Sequence, residues 1–212
     1  MVDFLHVIPA FALTVLVIVA VPGQGVAMVL RQSILSGKQA AFYSVMGNST
    51  GLVIWGILSS IGLSAIFQAS PTAFNILKWA GVLYLTILSI QTLRELKNEA
   101  GKFEFESGDK AKGFGPAYRI GLTTNLTNVK AAVFSVGLVP QFVPKGFGLG
   151  LGIFILCCIW AVISMSWYAL MITVVDKSSK WIQKPKVRRA LTAFSAIGIA
   201  VLAIGLAFTS AN

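Results

Sequence analysis

"IVAVPGQGVAM", residues 18–28, interrupts one of the most apolar regions of the chain: Val15 to Val21 is an unbroken apolar run, and Val26 to Leu30 resumes it. Between the two runs stand Pro22, Gly23 and Gln24. Proline has no N–H to bond, and glycine permits torsions that end a helix. In hydrocarbon every backbone group must be bonded within the protein. The stretch therefore reads in one of two ways. It is a kink or a turn at the membrane edge, or it is the meeting point of two half-helices. In the second case the first half ends in free carbonyls, which suit an ammonium. The other half begins with free N–H groups, which suit a carboxylate.

The rest of the chain makes a bilayer the solvent. Of 212 residues, 56% are hydrophobic and 11% charged, against roughly 25% charged in a soluble domain. Six apolar segments approach or exceed the roughly 20 residues a span needs: 6–33, 41–67, 73–93, 116–142, 149–174 and 188–209. The first, second and fourth are long enough that they must tilt, kink or break. The first segment reads as a retained helix and not as a secretory signal. Residues 1–6 hold Asp3 and no Lys or Arg, and the apolar run outlasts a signal's core.

The expected fold is an all-α membrane protein of six transmembrane helices. Residues 1–95 form a first three-helix half, 96–115 a cytoplasmic connector and 116–212 a second half. Three spans per half would make the repeats inverted, with helices 1 and 4 broken.

The formal net charge of +10 does not point to nucleic acid, because the basic residues lie in short gaps between apolar segments. Fourteen Lys and Arg fall in or beside the gaps after segments one, three and five; only Lys78 and Lys145 fall on the other side. By the positive-inside rule both termini face outward and the loops 94–119 and 176–189 face the cytoplasm. These charges orient the protein and do no chemistry. Cys157 and Cys158 are adjacent, a spacing whose Cβ vectors diverge, so they read as small buried hydrophobes.

Several polar residues lie inside the spans. "GLTTNLTNVKAAVF" (121–134) places Asn125, Asn128 and Lys130 near mid-membrane. A lysine there costs about 2.5–3.5 kcal/mol on insertion scales. It must face an aqueous cavity or snorkel to an interface. If it faces a cavity it can bind a carboxylate, carry a proton, or donate to carbonyls at a break in its own helix. "MGNSTG" (46–51) adds Asn48 and Thr50, which line the cavity or bond to neighbouring backbone, and a Gly47/Gly51 pair that allows close helix contact. "GFGLGLG" (146–152) reads as helix packing at the start of segment five. The five tryptophans read as interfacial anchors or packing residues, and His6 as an interface residue.

These residues, taken in order, resemble the LysE/RhtB family of amino-acid exporters over nearly the whole chain. Members carry a PGP motif, here Pro22-Gly23-Gln24, followed by the spacing of Arg31 and Gly37. Next comes an N-x-x-N-P-K-A segment, here Asn125-Leu126-Thr127-Asn128-Val129-Lys130-Ala131, and then Pro140-Gln141-Phe142. Gln24 replaces the second proline and Val129 the proline before the lysine. Leu52 stands where members often have an acid, and no span has a carboxylate in its middle.

The resemblance implies a bacterial inner-membrane exporter of a small amino acid or close derivative, driven by the proton gradient and working by alternating access. It implies no enzyme activity and no cofactor. The partners are a small zwitterion and the lipid bilayer, and small-residue packing is compatible with a homodimer. The expected substrate-binding set is Pro22, Gly23, Gln24, Asn48, Thr50, Asn125, Asn128 and Lys130. In it Gln24, the N–H groups after Gly23 and Lys130 hold the carboxylate. Asn125, Asn128 and the carbonyls before Pro22 hold the ammonium. Alternatives are an exporter of a metal cation or other small solute, or a membrane thiol-redox protein using Cys157 and Cys158.

Overall fold

The computed structural model describes residues 2–20, 23–69, 111 and 113–182, together with isolated positions between 72 and 94 and between 190 and 207. The expected third and sixth spans therefore lie largely outside the described residues, as do Pro22 and most of the connector. Every described element is helical: α1 (Val2–Ala20), α2 (Gln24–Leu35), α3 (Gly37–Ala69), α4 (Phe114–Leu126), α5 (Val129–Val133), a π turn (Phe134–Leu138), a 3-10 turn (Val139–Phe142) and α6 (Leu149–Ile182).

Among the described residues, two helices are long and apolar enough to cross a membrane, through Gly37–Gly62 and Leu149–Val174. At about 1.5 Å per residue, α3 and α6 each run about 50 Å. A third crossing is the bent pair of α1 and α2, whose axes meet at 58°. The first span is thus interrupted where the sequence placed proline and glycine. The fourth is interrupted too: α4 stops at Leu126 and α5 starts at Val129.

The core forms around α3 and α6, with α1 and the interrupted fourth span packed on them. Phe11, Val15, Ile18, Phe134, Ile153, Leu156 and Ile172 are almost fully buried in one cluster. Exposed leucines and isoleucines cover the outer faces, among them Leu13, Ile61, Leu151 and Leu170, as a lipid-facing surface requires.

Glycine sets the tightest contact, between α3 and α4. A Cβ on Gly121 would strike the carbonyl of Ser44, and one on Gly47 the carbonyl of Tyr118. One on Gly51 would come within 2.7 Å of the Asn125 side chain. Ser44 Oγ, on α3, donates to the Ala117 carbonyl of α4 at 2.9 Å. The expected Gly47/Gly51 contact is therefore made inside the chain, and the same glycines do not argue for a homodimer. Within the 146–152 run Gly152 packs against Val143 of the preceding loop, while Gly146 turns the chain with φ +81°.

The two ends of the bundle each hold a local cluster. At one end Ser36 Oγ accepts from the Ala111 N–H at 3.0 Å, and Phe114 stacks on Tyr118 while Tyr43 meets Phe114 edge-on. At the other, Phe4 stacks on Phe147 with centroids 4.6 Å apart.

Candidate functional site

The site grows from the orphan carbonyls of α1. In an α-helix the carbonyl of residue 18 would accept from the N–H of residue 22. Residue 22 is proline and has no N–H. Ile18 therefore keeps an acceptor that its own helix cannot fill. Lys130 fills it: the ammonium donates to the Ile18 carbonyl at 3.1 Å, across 112 residues of sequence. Of the roles open to Lys130, donation at the break in its own helix is not the bond seen. The carbonyl it reaches belongs to the other broken span, because that is where proline removed the donor.

The second break is satisfied mainly by its own residues, with one long bond from α3, where Trp55 Nε1 donates to the Asn125 carbonyl at 3.4 Å. The Asn125 carbonyl accepts the Asn128 N–H at 3.0 Å, and the Thr123 carbonyl accepts that of Thr127 at 3.0 Å. Asn128 then caps α5, its side-chain oxygen accepting the Lys130 N–H at 3.1 Å. That cap orients Lys130 at the start of the short helix.

Between the two breaks lies a cavity of about 20 Å³, room for about one water. Its walls are Ile18 and Val19 of α1, Asn48 and Leu52 of α3, Asn125 and Asn128 at the second break, Lys130 and Ala131 of α5, and Trp160, Ser164 and Tyr168 of α6. Asn48 and Asn125 are almost fully buried. Asn125 Oδ1 has no protein partner, and neither does Trp160 Nε1 or Ser164 Oγ. Such groups call for a partner, since leaving a buried polar atom unpaired costs about 1–3 kcal/mol.

Of the expected binding residues, the cavity brings together Asn48, Asn125, Asn128 and Lys130. Thr50 is not among its walls; its hydroxyl donates to the Met46 carbonyl of its own helix at 3.1 Å. Gly23 is the N-cap of α2 in extended backbone, and Gln24 is exposed. Neither lines the cavity. Pro22 lies outside the described residues. At the first break it is therefore the carbonyl end of α1 that forms the wall. The first turn of α2 reaches the cavity's border only where Tyr168 packs its hydroxyl against Gly25.

Sequence reasoning missed the α6 wall. Trp160, Ser164 and Tyr168 are spaced four apart, which puts them on one helix face. That polar stripe inside an otherwise apolar segment was the available signal. The cysteines stand apart from the cavity: both are free, and Cys157 is buried with its Cβ 2.6 Å from where a Cβ on Gly56 would lie, a packing role.

A helical membrane protein with a small polar cavity between two interrupted spans, and one fixed cation in its wall, has the construction of a solute carrier. The comparisons narrow this. The family model for the LysE type translocator matches residues 16–210, and the chain belongs to that family of membrane transporters. It is 33% identical over 206 residues to a homoserine/homoserine lactone efflux protein of Salmonella typhi, covering 96% of both chains. It is 28% identical over 156 residues to a leucine efflux protein of Salmonella choleraesuis, covering 73% of this chain and 72% of the relative. An uncharacterized membrane protein of Bacillus subtilis, YrhP, shares 21% over 210 residues, 95% of this chain and 98% of the relative. No solved structure matches. The chain is thus a transporter and not an enzyme.

Proposed function

We propose that the protein exports a small amino acid or close derivative across the bacterial inner membrane by alternating access, driven by the proton gradient. The observation that carries this reading is Lys130, a cation in the wall of a cavity otherwise lined by uncharged residues. The similarity to homoserine and leucine efflux proteins supports the substrate class.

In this reading the substrate carboxylate takes the Lys130 ammonium from the Ile18 carbonyl. The freed carbonyl and Asn125 Oδ1 then accept from the substrate ammonium, with Asn48 and Asn128 completing the wall. Pro22, Gly23 and Gln24 supply the break rather than the contacts. The exchange is also the source of movement. Substrate replaces a bond that ties α1 to α5, so the two halves, read as inverted repeats, rock apart around the site. Lys130 is also the group that can carry the proton, since lysine titrates readily when desolvated and no span holds a mid-span acid.

The test is uptake and counterflow of a panel of labelled amino acids in proteoliposomes holding the purified protein, with and without an imposed proton gradient. Saturable exchange of a small amino acid is expected, accelerated by the gradient. A panel on which nothing exchanges would overturn the reading.

The proposed topology has both termini outside and loops 94–119 and 176–189 inside. The Ser36–Ala111 bond supports it, because it joins the two basic gaps at one end. A Ser107→Cys variant labelled from outside in intact cells would refute it.

A further inference from the structure

We infer that Trp160 and Ser164 on α6 select substrates whose side chain bears an oxygen, such as a hydroxyl, over apolar side chains of the same size. The inference rests on the exporter reading above and names the substrate that the site fits. Both residues line the cavity and are nearly fully buried, at 3% and 2% exposure. Trp160 Nε1 and Ser164 Oγ have no protein partner there. The indole ring is fixed by edge-on packing against Phe134, with centroids 4.6 Å apart, so its N–H cannot swing away without dismantling the core.

The polar groups of the cavity divide by chemistry. Lys130 is a charged donor and matches a carboxylate. Asn125 Oδ1 is an acceptor and matches an ammonium. Trp160 Nε1 is a donor only, and Ser164 Oγ can donate or accept. After a zwitterion has satisfied the first two, these α6 groups face the substrate's side chain. A water in the cavity can serve them when no substrate is bound. A substrate large enough to fill the site displaces that water and must replace its bonds. A side-chain oxygen does so, whereas a methyl leaves an N–H and a hydroxyl unpaired in a low-dielectric wall.

The discriminating pair is homoserine and norvaline, which differ by a terminal hydroxyl in place of a methyl. In proteoliposomes the wild-type protein is expected to move homoserine with a kcat/KM at least about tenfold above norvaline, the scale of one unmade buried hydrogen bond. Ser164→Ala and Trp160→Phe should each collapse that ratio toward one. Ser166→Ala, on the exposed face of α6 with its hydroxyl bonded to the Val162 carbonyl, should leave it unchanged. Equal wild-type transport of the two amino acids, or a preference for norvaline, overturns the inference while leaving the exporter reading standing. A ratio that survives in both α6 variants also overturns it. Transport of neither amino acid nor any other on the panel overturns the exporter reading itself, and this inference with it. Because the wild-type ratio needs no variant, a folding defect in Trp160→Phe does not shield the inference.

Discussion

The first and fourth spans are both interrupted, yet their orphan backbone groups are treated in opposite ways. At the end of α1 a proline has removed the donor for the Ile18 carbonyl, and the replacement comes from Lys130, 112 residues away. At 127–128 most partners are local, two backbone bonds and the Asn128 cap, joined by the Trp55 indole of α3 at the Asn125 carbonyl. A break made by deleting a donor is open-ended and recruits whatever cation the fold brings near. A break made around a capping residue is satisfied largely by its own neighbours. Lys130 belongs to both, its backbone N–H in the closed break and its ammonium in the open one. That dual attachment makes it the point where a ligand can couple the two halves.

Removing the ammonium should give the largest effect. Lys130→Met keeps length and loses charge, and transport should fall by about a hundredfold or more, the scale of a charged hydrogen bond of about 1.5–3 kcal/mol lost together with its coupling role. Lys130→Arg sharpens the reading. If the residue binds the carboxylate, arginine retains part of the transport; if it carries the proton, arginine fails as fully as methionine, because it does not deprotonate. Wild-type efflux by a normally expressed Lys130→Met protein would remove both roles.

The closed break depends on α4 being pressed against α3, so the next effect is on stability. Gly121→Val puts a branched side chain where a single Cβ already meets the Ser44 carbonyl. Overpacking of this kind costs about 1–3 kcal/mol. The thermal midpoint in detergent should drop by several degrees. Gly115→Val, where a Cβ meets nothing within 4 Å, should drop it far less.

Much of this comparison could be read in the sequence, and its limits are physical. Proline and glycine at 22–23 announce a break because their backbone chemistry is local, and Gly47 and Gly51 announce a close contact for the same reason. Asn48, Asn125, Asn128 and Lys130 stood out because polar groups are costly in a span. What the sequence did not show was which carbonyl Lys130 would reach, since that depends on the 58° bend and on how α5 lies against α1. Gln24 sits next to the break, but the wall is made by the other side of it. Trp160 and Ser164 were passed over because a tryptophan and a serine in an apolar helix are ordinary alone. Only their shared face toward the cavity gives them meaning.

The open break makes a finer prediction. Pro22→Ala returns an N–H to the position that would bond the Ile18 carbonyl in a continuous helix. The Lys130 bond then becomes partly redundant for stability. In a double-mutant cycle read by thermal unfolding, Lys130→Met should cost about 1 kcal/mol less in the Pro22→Ala background than in the wild type. Strict additivity would mean that the bond to Ile18 does not depend on the missing donor, and the contrast between the two breaks would lose its cause.

The smallest effect belongs to the closed break. Asn128 has two assignments: its side-chain oxygen caps α5 through the Lys130 N–H, and it lines the cavity. Losing a cap costs about 1 kcal/mol, so Asn128→Ala should lower the thermal midpoint by a few degrees. Asn128→Ser keeps a capping oxygen but shortens the side chain and removes its amide. If the cap is the whole of the role, serine should restore both the midpoint and transport. If Asn128 also touches substrate, serine should restore the midpoint and leave KM raised severalfold. A serine variant as unstable as the alanine one would show that the break is not held by its cap. The second break would then need an outside partner, as the first one does.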